Sequence, residues 1–217
     1  MYSKSKKITI IGMFCAVAYV TMVFGRIPVV LFLKYDPKDV IITIGGFLLG
    51  PLCSLIISVI VSFIEMLSVS ETGFIGCIMN IISSCSFACI AAAIYKKKHD
   101  MKGAAIGLTC GLAAMVTVML LWNYYITPIY MGYPRQAVKE LLLPAFLPFN
   151  LIKGGINMAL TFLLYRPVVT ALRKSGLIDE SHDFKAQKAG RRAGIMLGST
   201  FMIATCIFGI LILRGVI

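Results

Sequence analysis

Apolar residues fall into seven long stretches that short polar or charged segments separate. The stretches cover residues 8–25, 39–49, 52–67, 74–95, 103–127, 142–170 and 193–213. A bilayer core needs about 20 helical residues, and most of these stretches are long enough to cross it. The pattern therefore predicts an all-α, polytopic membrane helix bundle of six or seven transmembrane helices.

The second and third stretches are short, and two interpretations of 39–67 compete: one long span, or two spans that reverse at Gly50-Pro51. Glycine permits a tight turn and proline ends a helix. Lysine clusters at 4–7 and 96–102 both belong in the cytoplasm under the positive-inside rule, which requires an even number of spans between them. This favours two spans, each of which thins the bilayer locally or packs on protein neighbours.

Composition supports a membrane protein. The chain has 217 residues, 59% hydrophobic and 14% charged, whereas soluble domains have roughly 25% charged residues. The net charge of +12 comes from cations that flank the apolar stretches, which argues for anchored helix ends and against a nucleic-acid partner. No small-residue cleavage site follows the first stretch. We therefore expect a multi-pass protein of the cell membrane with a cytoplasmic N-terminus.

A few polar residues interrupt the apolar pattern. Asn150, Lys153 and Asn157 are spaced three or four apart, which places them on one face of a helix. A cation at membrane depth costs on the order of 3 kcal/mol, so we expect Lys153 to face a cavity or a partner. The alternative is that it snorkels to the outer surface. Asn123 is a weaker candidate, because the tyrosines beside it fit an interfacial aromatic belt.

The segment 26–38 has apolar residues between charged ends. It predicts either a lid that folds over the mouth of a cavity or an interfacial loop anchored by Phe32 and Tyr35.

The sequence offers little catalytic chemistry. It contains neither HExxH nor a GxxxxGK[ST] phosphate loop, and its seven cysteines form no CxxC pair and lie in apolar stretches, as small buried hydrophobes do. Glu65 and Glu71 are poorly placed for a carboxylate pair, and we expect almost no carboxylates deep in the spans. The pattern predicts a small-molecule binder that is not an enzyme and holds no metal or cofactor. An ion-coupled secondary transporter is disfavoured, because it would need intramembrane carboxylates and two inverted halves.

Six motifs occur in a fixed order over about residues 5–172. They are FLKYDP at 32–37, GGFLLGP at 45–51, SFIEM at 62–66, TGFIG at 72–76 with MN at 79–80, NYYITPIYMG at 123–132, and LPAFLPFNLIKG at 143–154. With these motifs the chain resembles the substrate-binding (S) subunits of energy-coupling-factor (ECF) vitamin transporters, and among them the riboflavin-specific members.

The resemblance implies a six-helix domain at 1–174 with both ends cytoplasmic, a vitamin pocket open to the outside, and a lid formed by the loop after the first helix. It implies high-affinity riboflavin binding for uptake, together with a transmembrane coupling subunit and two cytoplasmic ATPases. Flavin mononucleotide is a second candidate ligand, with Arg26, Lys34 and Lys38 near its phosphate. Partner docking would use small residues of the first helix, Gly12 and Ala16, although the family usually has alanine at the first of these positions.

We expect substrate contacts at seven positions: Leu33, Lys34, Tyr35, Met66, Asn123, Asn150 and Lys153. Another vitamin and an autonomous secondary transporter remain the alternatives. The last apolar stretch lies outside the six-helix pattern. It predicts an additional transmembrane helix at 193–217, joined to the core by a polar cytoplasmic linker at 175–192.

Overall fold

The computed structural model describes residues 4–30, 33–70, 72–132, 134–177 and 189–213. In chain order the elements are α1 (Lys4–Gly25), β1 (Ile27–Val30), β2 (Leu33–Tyr35), α2 (Lys38–Leu49), α3 (Pro51–Ser68), α4 (Gly73–Lys97), α5 (Met101–Tyr125), α6 (Thr127–Met131), α7 (Arg135–Leu141), a π-helical turn (Leu142–Phe146), α8 (Leu147–Lys174) and α9 (Ala189–Leu213).

Five helical segments of the described chain are long and apolar enough to cross a membrane: Lys4–Gly25, Pro51–Ser68, Gly73–Lys97, Met101–Tyr125 and Arg135–Lys174. Helix α3 shows the membrane character most clearly. Apolar side chains such as Leu52 and Phe63 are exposed on its outer face, whereas Ser54, Ser58 and Glu65 are buried. A soluble helix has the opposite arrangement, so α3 faces lipid with its apolar side and the bundle interior with its polar side.

The predicted break at Gly50-Pro51 is confirmed. Helix α2 ends at Leu49, and Gly50 adopts φ 97° and ψ 168°, a conformation that is essentially restricted to glycine. Pro51 then begins α3, where a missing N–H costs nothing. Helix α2 is only 12 residues long, and all of it from Lys38 to Leu48 is buried. It packs against α1, α3, α4 and α8, so protein neighbours replace the lipid that a longer span would meet.

The segment between α1 and α2 forms an antiparallel hairpin, β1–β2, in place of the loop that the pattern suggested. Ile27 pairs with Tyr35 and Pro28 with Lys34. Tyr35 is buried and therefore does not anchor the hairpin at an interface. Phe32, the second residue proposed as an anchor, lies outside the described residues. The helices of the predicted all-α bundle are confirmed, and this hairpin is the addition to them.

The C-terminal part begins where α8 ends, at Lys174. Residues 178–188 of the proposed linker lie outside the described residues, and α9 packs against α8. The apolar part of α9, Met196–Ile212, is shorter than the five spans above. The division into 1–174, 175–192 and 193–217 therefore stays a prediction.

The turn at Gly50 gives a test of the α2–α3 break. Gly50→Ala should lower the thermal unfolding midpoint in detergent, because alanine strains this backbone conformation by about 1–3 kcal/mol. The substitution meets no steric obstacle, since a Cβ at Gly50 has no heavy atom within 4 Å. Gly12→Ala is the matched control, because a Cβ there is equally unobstructed and Gly12 lies within α1. Equal midpoints for the two variants would show that the turn tolerates alanine.

Candidate functional site

A cavity lies at the end of the bundle where the hairpin packs, which we call the hairpin end. Its lining comes from the hairpin region, α3, the α3–α4 connection, α4, α5, α6 and α8. The lining residues are Arg26, Leu33, Lys34, Asp36, Glu65, Ser70, Thr72, Met79, Asn80, Ser83, Met119, Tyr130, Phe149, Asn150 and Lys153. The cavity therefore has an apolar wall of leucine, methionine and phenylalanine, and a charged wall at the base of the hairpin.

The ammonium group of Lys153 points into the bundle and pairs with Asp39, with 3.4 Å between Nζ and Oδ2. Asp39 is fully buried at the first turn of α2, where the helix dipole favours a negative charge. It also accepts hydrogen bonds from Ser84 Oγ and from Asn157 Nδ2, the latter at 3.3 Å. Lys153 is only 7% exposed, so it is turned toward a partner and does not snorkel to the surface.

Asn157 extends this network to the hairpin. Its Oδ1 accepts a hydrogen bond of 3.2 Å from the hydroxyl group of Tyr35. The chain of contacts from Tyr35 through Asn157 and Asp39 to Lys153 joins β2, α8 and α2. Because every member is buried, each bond is made in a medium of low dielectric constant, where losing a partner is costly.

A second charge cluster holds the base of the hairpin. Glu65 of α3 accepts hydrogen bonds from both Arg26 and Lys38. Asp36 lies 3.9 Å from each of the same two cations. One oxygen of Asp36, Oδ1, has no hydrogen-bond partner among the described residues. Burial raises the pKa of the Asp36 carboxyl above its usual value, and the charges of Lys38 and Lys153 oppose that rise.

Three carboxylates at the hairpin end are buried in the protein although none lies deep in a span: Asp36 precedes α2, Asp39 is in the first turn of α2, and Glu65 is in the last turn of α3. Asp36, Asp39 and Glu65 are all buried at the hairpin end, and Arg26, Lys38 and Lys153 balance their charges. Sequence reasoning treated residues 36–39 as a loop and a helix boundary, and judged Glu65 only against Glu71. The available signal was that these six charges all lie within or beside apolar stretches, where an unpaired charge would be costly.

Asn150 reaches the cavity because of the π-helical turn that precedes it. Pro144 and Pro148 stand four apart, and Pro148 has no N–H to donate to the carbonyl of Pro144. The chain widens instead, and the N–H of Leu147 bonds the carbonyl of Leu142, five residues back. Asn150 donates one hydrogen bond to the carbonyl of Phe146. An amide has two N–H groups and a carbonyl oxygen, so this bond leaves polar capacity for a ligand.

The structure brings four of the seven predicted substrate residues to the cavity: Leu33, Lys34, Asn150 and Lys153. Tyr35, Met66 and Asn123 are not among the residues that line it. Tyr35 instead donates to Asn157, as described above, and Met66 is half-buried. Asn123 donates to the carbonyl of Met119 and accepts from the hydroxyl of Thr127, so it fastens the end of α5 to α6.

The cavity as it stands is small. Its volume is about 170 Å³, whereas small-molecule sites usually have roughly 300–1,000 Å³. A ligand with several fused rings therefore enters only when a surrounding segment moves outward. The hairpin is a candidate for this movement, because it covers the cavity with Leu33 and Lys34 and belongs to no membrane-spanning helix.

The chain matches a known protein family. A family model described as "ECF transporter, substrate-specific component" matches residues 6–165. The chain belongs to this family. As expected from the resemblance, it is a multi-pass membrane protein of a transporter family, and neither this family nor the relatives described next are enzymes.

Two curated relatives are riboflavin transporters. The riboflavin transporter FmnP of Bacillus subtilis (strain 168) is 29% identical over 188 residues, which cover 79% of this chain and 98% of FmnP. The riboflavin transporter RibU of Staphylococcus aureus (strain TCH60) is 27% identical over 180 residues, covering 79% of this chain and 94% of RibU. A solved S component of a bacterial ECF transporter superposes with a TM-score of 0.68 at 28% identity, covering 79% of this chain and 99% of that one.

The pair of Lys153 and Asp39 predicts strong coupling between α8 and α2. Lys153→Met or Asp39→Asn alone should lower the thermal midpoint markedly, because removing one partner leaves a buried charge uncompensated at a cost of about 3–5 kcal/mol. The double variant Asp39→Asn/Lys153→Met removes both charges and should lose less than the sum of the single variants. Thermal unfolding of all four proteins in one detergent measures this.

Lys102→Met is the control, because Lys102 is exposed at the start of α5 and its charge is solvated. Strictly additive losses for Asp39 and Lys153 would contradict the pairing.

Proposed function

We propose that this protein is the riboflavin-binding S subunit of an ECF transporter. The observation that carries the proposal is the cavity beside Asn150 and Lys153, within a chain whose two curated relatives are both riboflavin transporters matched over nearly their whole length. The family match supports uptake together with other ECF subunits.

The cavity has the chemistry that a flavin requires. An isoalloxazine ring is flat and largely apolar, with an edge that carries one N–H donor and two carbonyl acceptors. Leu33, Met79 and Phe149 line the cavity and offer apolar surfaces to the ring faces. The amide of Asn150 can pair with the polar edge, since it supplies both a donor and an acceptor. Lys153 has three protons, of which Asp39 uses one, so it can donate to a ring carbonyl.

The charge distribution favours riboflavin over its phosphorylated form. Of the three cations near the mouth, Arg26 and Lys38 already bond Glu65, and Lys38 is fully buried. Lys34 also lines the cavity. A phosphate would have to compete with buried carboxylates, whereas the hydroxyls of a neutral ribityl chain can donate to Asp36 Oδ1. In this proposal riboflavin is the transported ligand, and the protein uses no cofactor.

The two alternatives have less support. Ion-coupled secondary transport needs a carboxylate that can bind the ion, and each of Asp36, Asp39 and Glu65 is already in contact with a cation. Another vitamin would present a different arrangement of hydrogen-bond donors and acceptors to Asn150 and Lys153. Neither curated relative is named for another vitamin.

We infer that the N-terminus is cytoplasmic, and that the hairpin end, opposite the lysine clusters at 4–7 and 96–102, faces outward. Energy for uptake would come from two cytoplasmic ATPases through a transmembrane coupling subunit, since the sequence lacks a phosphate loop.

The small residues Gly12 and Ala16 are exposed on α1 and are therefore open to a partner helix.

Riboflavin should bind the isolated wild-type protein without nucleotide or metal. Titration with the protein should therefore quench the fluorescence of riboflavin in a saturable way. The variant Asp39→Asn/Lys153→Met removes one charge of each sign and so leaves the net charge of the site unchanged. It should bind about one to two decades more weakly, because a charge-assisted hydrogen bond is worth roughly 1.5–3 kcal/mol. Thiamine and biotin, in competition, should displace no flavin. A wild-type protein that quenches no more than empty detergent would refute the proposal, and unchanged affinity in the variant would remove Lys153 from the site.

Ala16→Trp should abolish co-purification with the coupling subunit and leave riboflavin affinity intact. A bulky side chain on a small-residue face prevents close helix approach, and Ala16 lies outside the cavity lining. Leu121→Trp is the matched control, because Leu121 is exposed on α5, and it should retain both activities. Loss of flavin binding together with co-purification in the Ala16 variant would show that Ala16 is needed for the fold of the bundle.

A further inference from the structure

Helix α9 runs antiparallel to α8 in close contact. A methyl group placed on Gly155 would lie 3.1 Å from Cys206 Sγ, and one placed on Gly209 would lie 3.0 Å from Cδ1 of Ile152. Towards the end of the bundle that carries the lysine clusters 4–7 and 96–102, Phe162 and Ser199 line one cavity. Along this series of contacts the residue numbers in α8 decrease from 162 to 152, while those in α9 increase from 199 to 209. The two glycines permit this close approach, and the last turns of α9 therefore lie beside the hairpin end of α8.

The same turns of α9 contact the hairpin. Val29, Leu33 and Tyr35 of the hairpin form one apolar cluster with Phe146, Phe149 and Ile156, and Cys206 and Ile210 of α9 pack against it. Direct contacts also join α9 to β1. Leu33 belongs both to this cluster and to the lining of the cavity. Contacts made by α9 therefore reach the segment that covers the cavity.

Helix α9 leaves the small-residue face of α1 open. Its main contacts are with α8 and β1, and a Cβ on Gly12 would meet no heavy atom within 4 Å. The opposite side of α9, with Leu197 and Phe201, is exposed and apolar, as expected for a surface that faces lipid. The position of α9 thus connects it with the hairpin and not with partner docking.

The family match ends at residue 165, before α9 begins, so this helix is an addition to the part of the chain that the family model matches. We propose that α9 is a brace for the β1–β2 hairpin: by packing against the hairpin, α9 holds it over the cavity and slows both entry and release of the ligand. The proposal rests on the proposed function, because the ligand is taken to be riboflavin. Since the cavity must widen to admit a fused-ring ligand, packing that resists movement of the hairpin adds to the barrier for opening.

The test uses the full chain with Gly155→Cys, which places a second thiol beside Cys206. In the reduced protein the added side chain pushes α9 away from α8, and oxidation joins the helices again. Riboflavin release, followed by fluorescence after mixing with excess competitor, should be about three- to tenfold faster in the reduced form, as expected when the packing of one or two methylene groups is lost. Oxidation should restore the slow rate, and peptide mass spectrometry should find the 155–206 disulfide.

The control Gly155→Cys/Cys206→Ala should show no dependence on oxidation. Gly209→Leu in the full chain should also speed release, because its side chain meets Ile152, whereas Gly194→Leu should not, because a Cβ there meets no heavy atom within 4 Å. A disulfide that does not form, or release rates that do not change with oxidation, would overturn the proposal.

Hydrogen–deuterium exchange of the hairpin peptides in ligand-free protein gives a readout that needs no ligand. Exchange should be faster in the reduced Gly155→Cys protein than in the oxidised one, and equal exchange would overturn the brace. If wild-type protein bound no riboflavin while this difference persisted, the proposed function would fail and the brace would stand.

Discussion

The contact between Lys153 and Asp39 is the constraint on which the hairpin end depends. Each of these charges lies in a segment that packs within a membrane bundle, and either one alone would cost several kcal/mol. Asp39 is held by Ser84 and Asn157 as well, so α2, α4 and α8 meet at one carboxylate. Lys153 can therefore stand at the cavity as a charged donor, because its compensation is built into the protein and does not have to come from the ligand.

The position of Asp39 in turn depends on the short helix α2. The turn at Gly50 lets α2 end after 12 residues, which gives the chain an extra reversal inside the bundle. As a result, the first turn of α2, with Lys38 and Asp39, lies level with Glu65 near the end of α3 and with Lys153 near the start of α8. A single span across 39–67 would have placed Asp39 and Glu65 at opposite ends. The local backbone freedom of one glycine thus determines which charges can pair.

Features that depend on local periodicity were predictable from the sequence, and features that depend on distant pairing were not. The apolar stretches, the break at Gly50 and the shared face of Asn150, Lys153 and Asn157 follow from spacing along the chain. The pairing of Lys153 with Asp39 joins residues more than a hundred positions apart, and no spacing rule identifies such a partner. The hairpin was missed for a similar reason: its strands are short, and Val29, Leu33 and Tyr35 pack against Phe146, Phe149 and Ile156, which are distant in the sequence.

Charge balance at the hairpin end also limits how a ligand can drive closure. A neutral ligand adds no charge to a cluster in which Arg26, Lys38 and Lys153 already face Glu65, Asp36 and Asp39, so binding does not require these pairs to separate. The gain in free energy must come from apolar contact and from hydrogen bonds to groups such as Asn150. The proposed opening of the hairpin therefore breaks contacts on its apolar side, where Val29 and Leu33 pack on α8 and α9, and it does not require the ion pairs at the base of the hairpin to break.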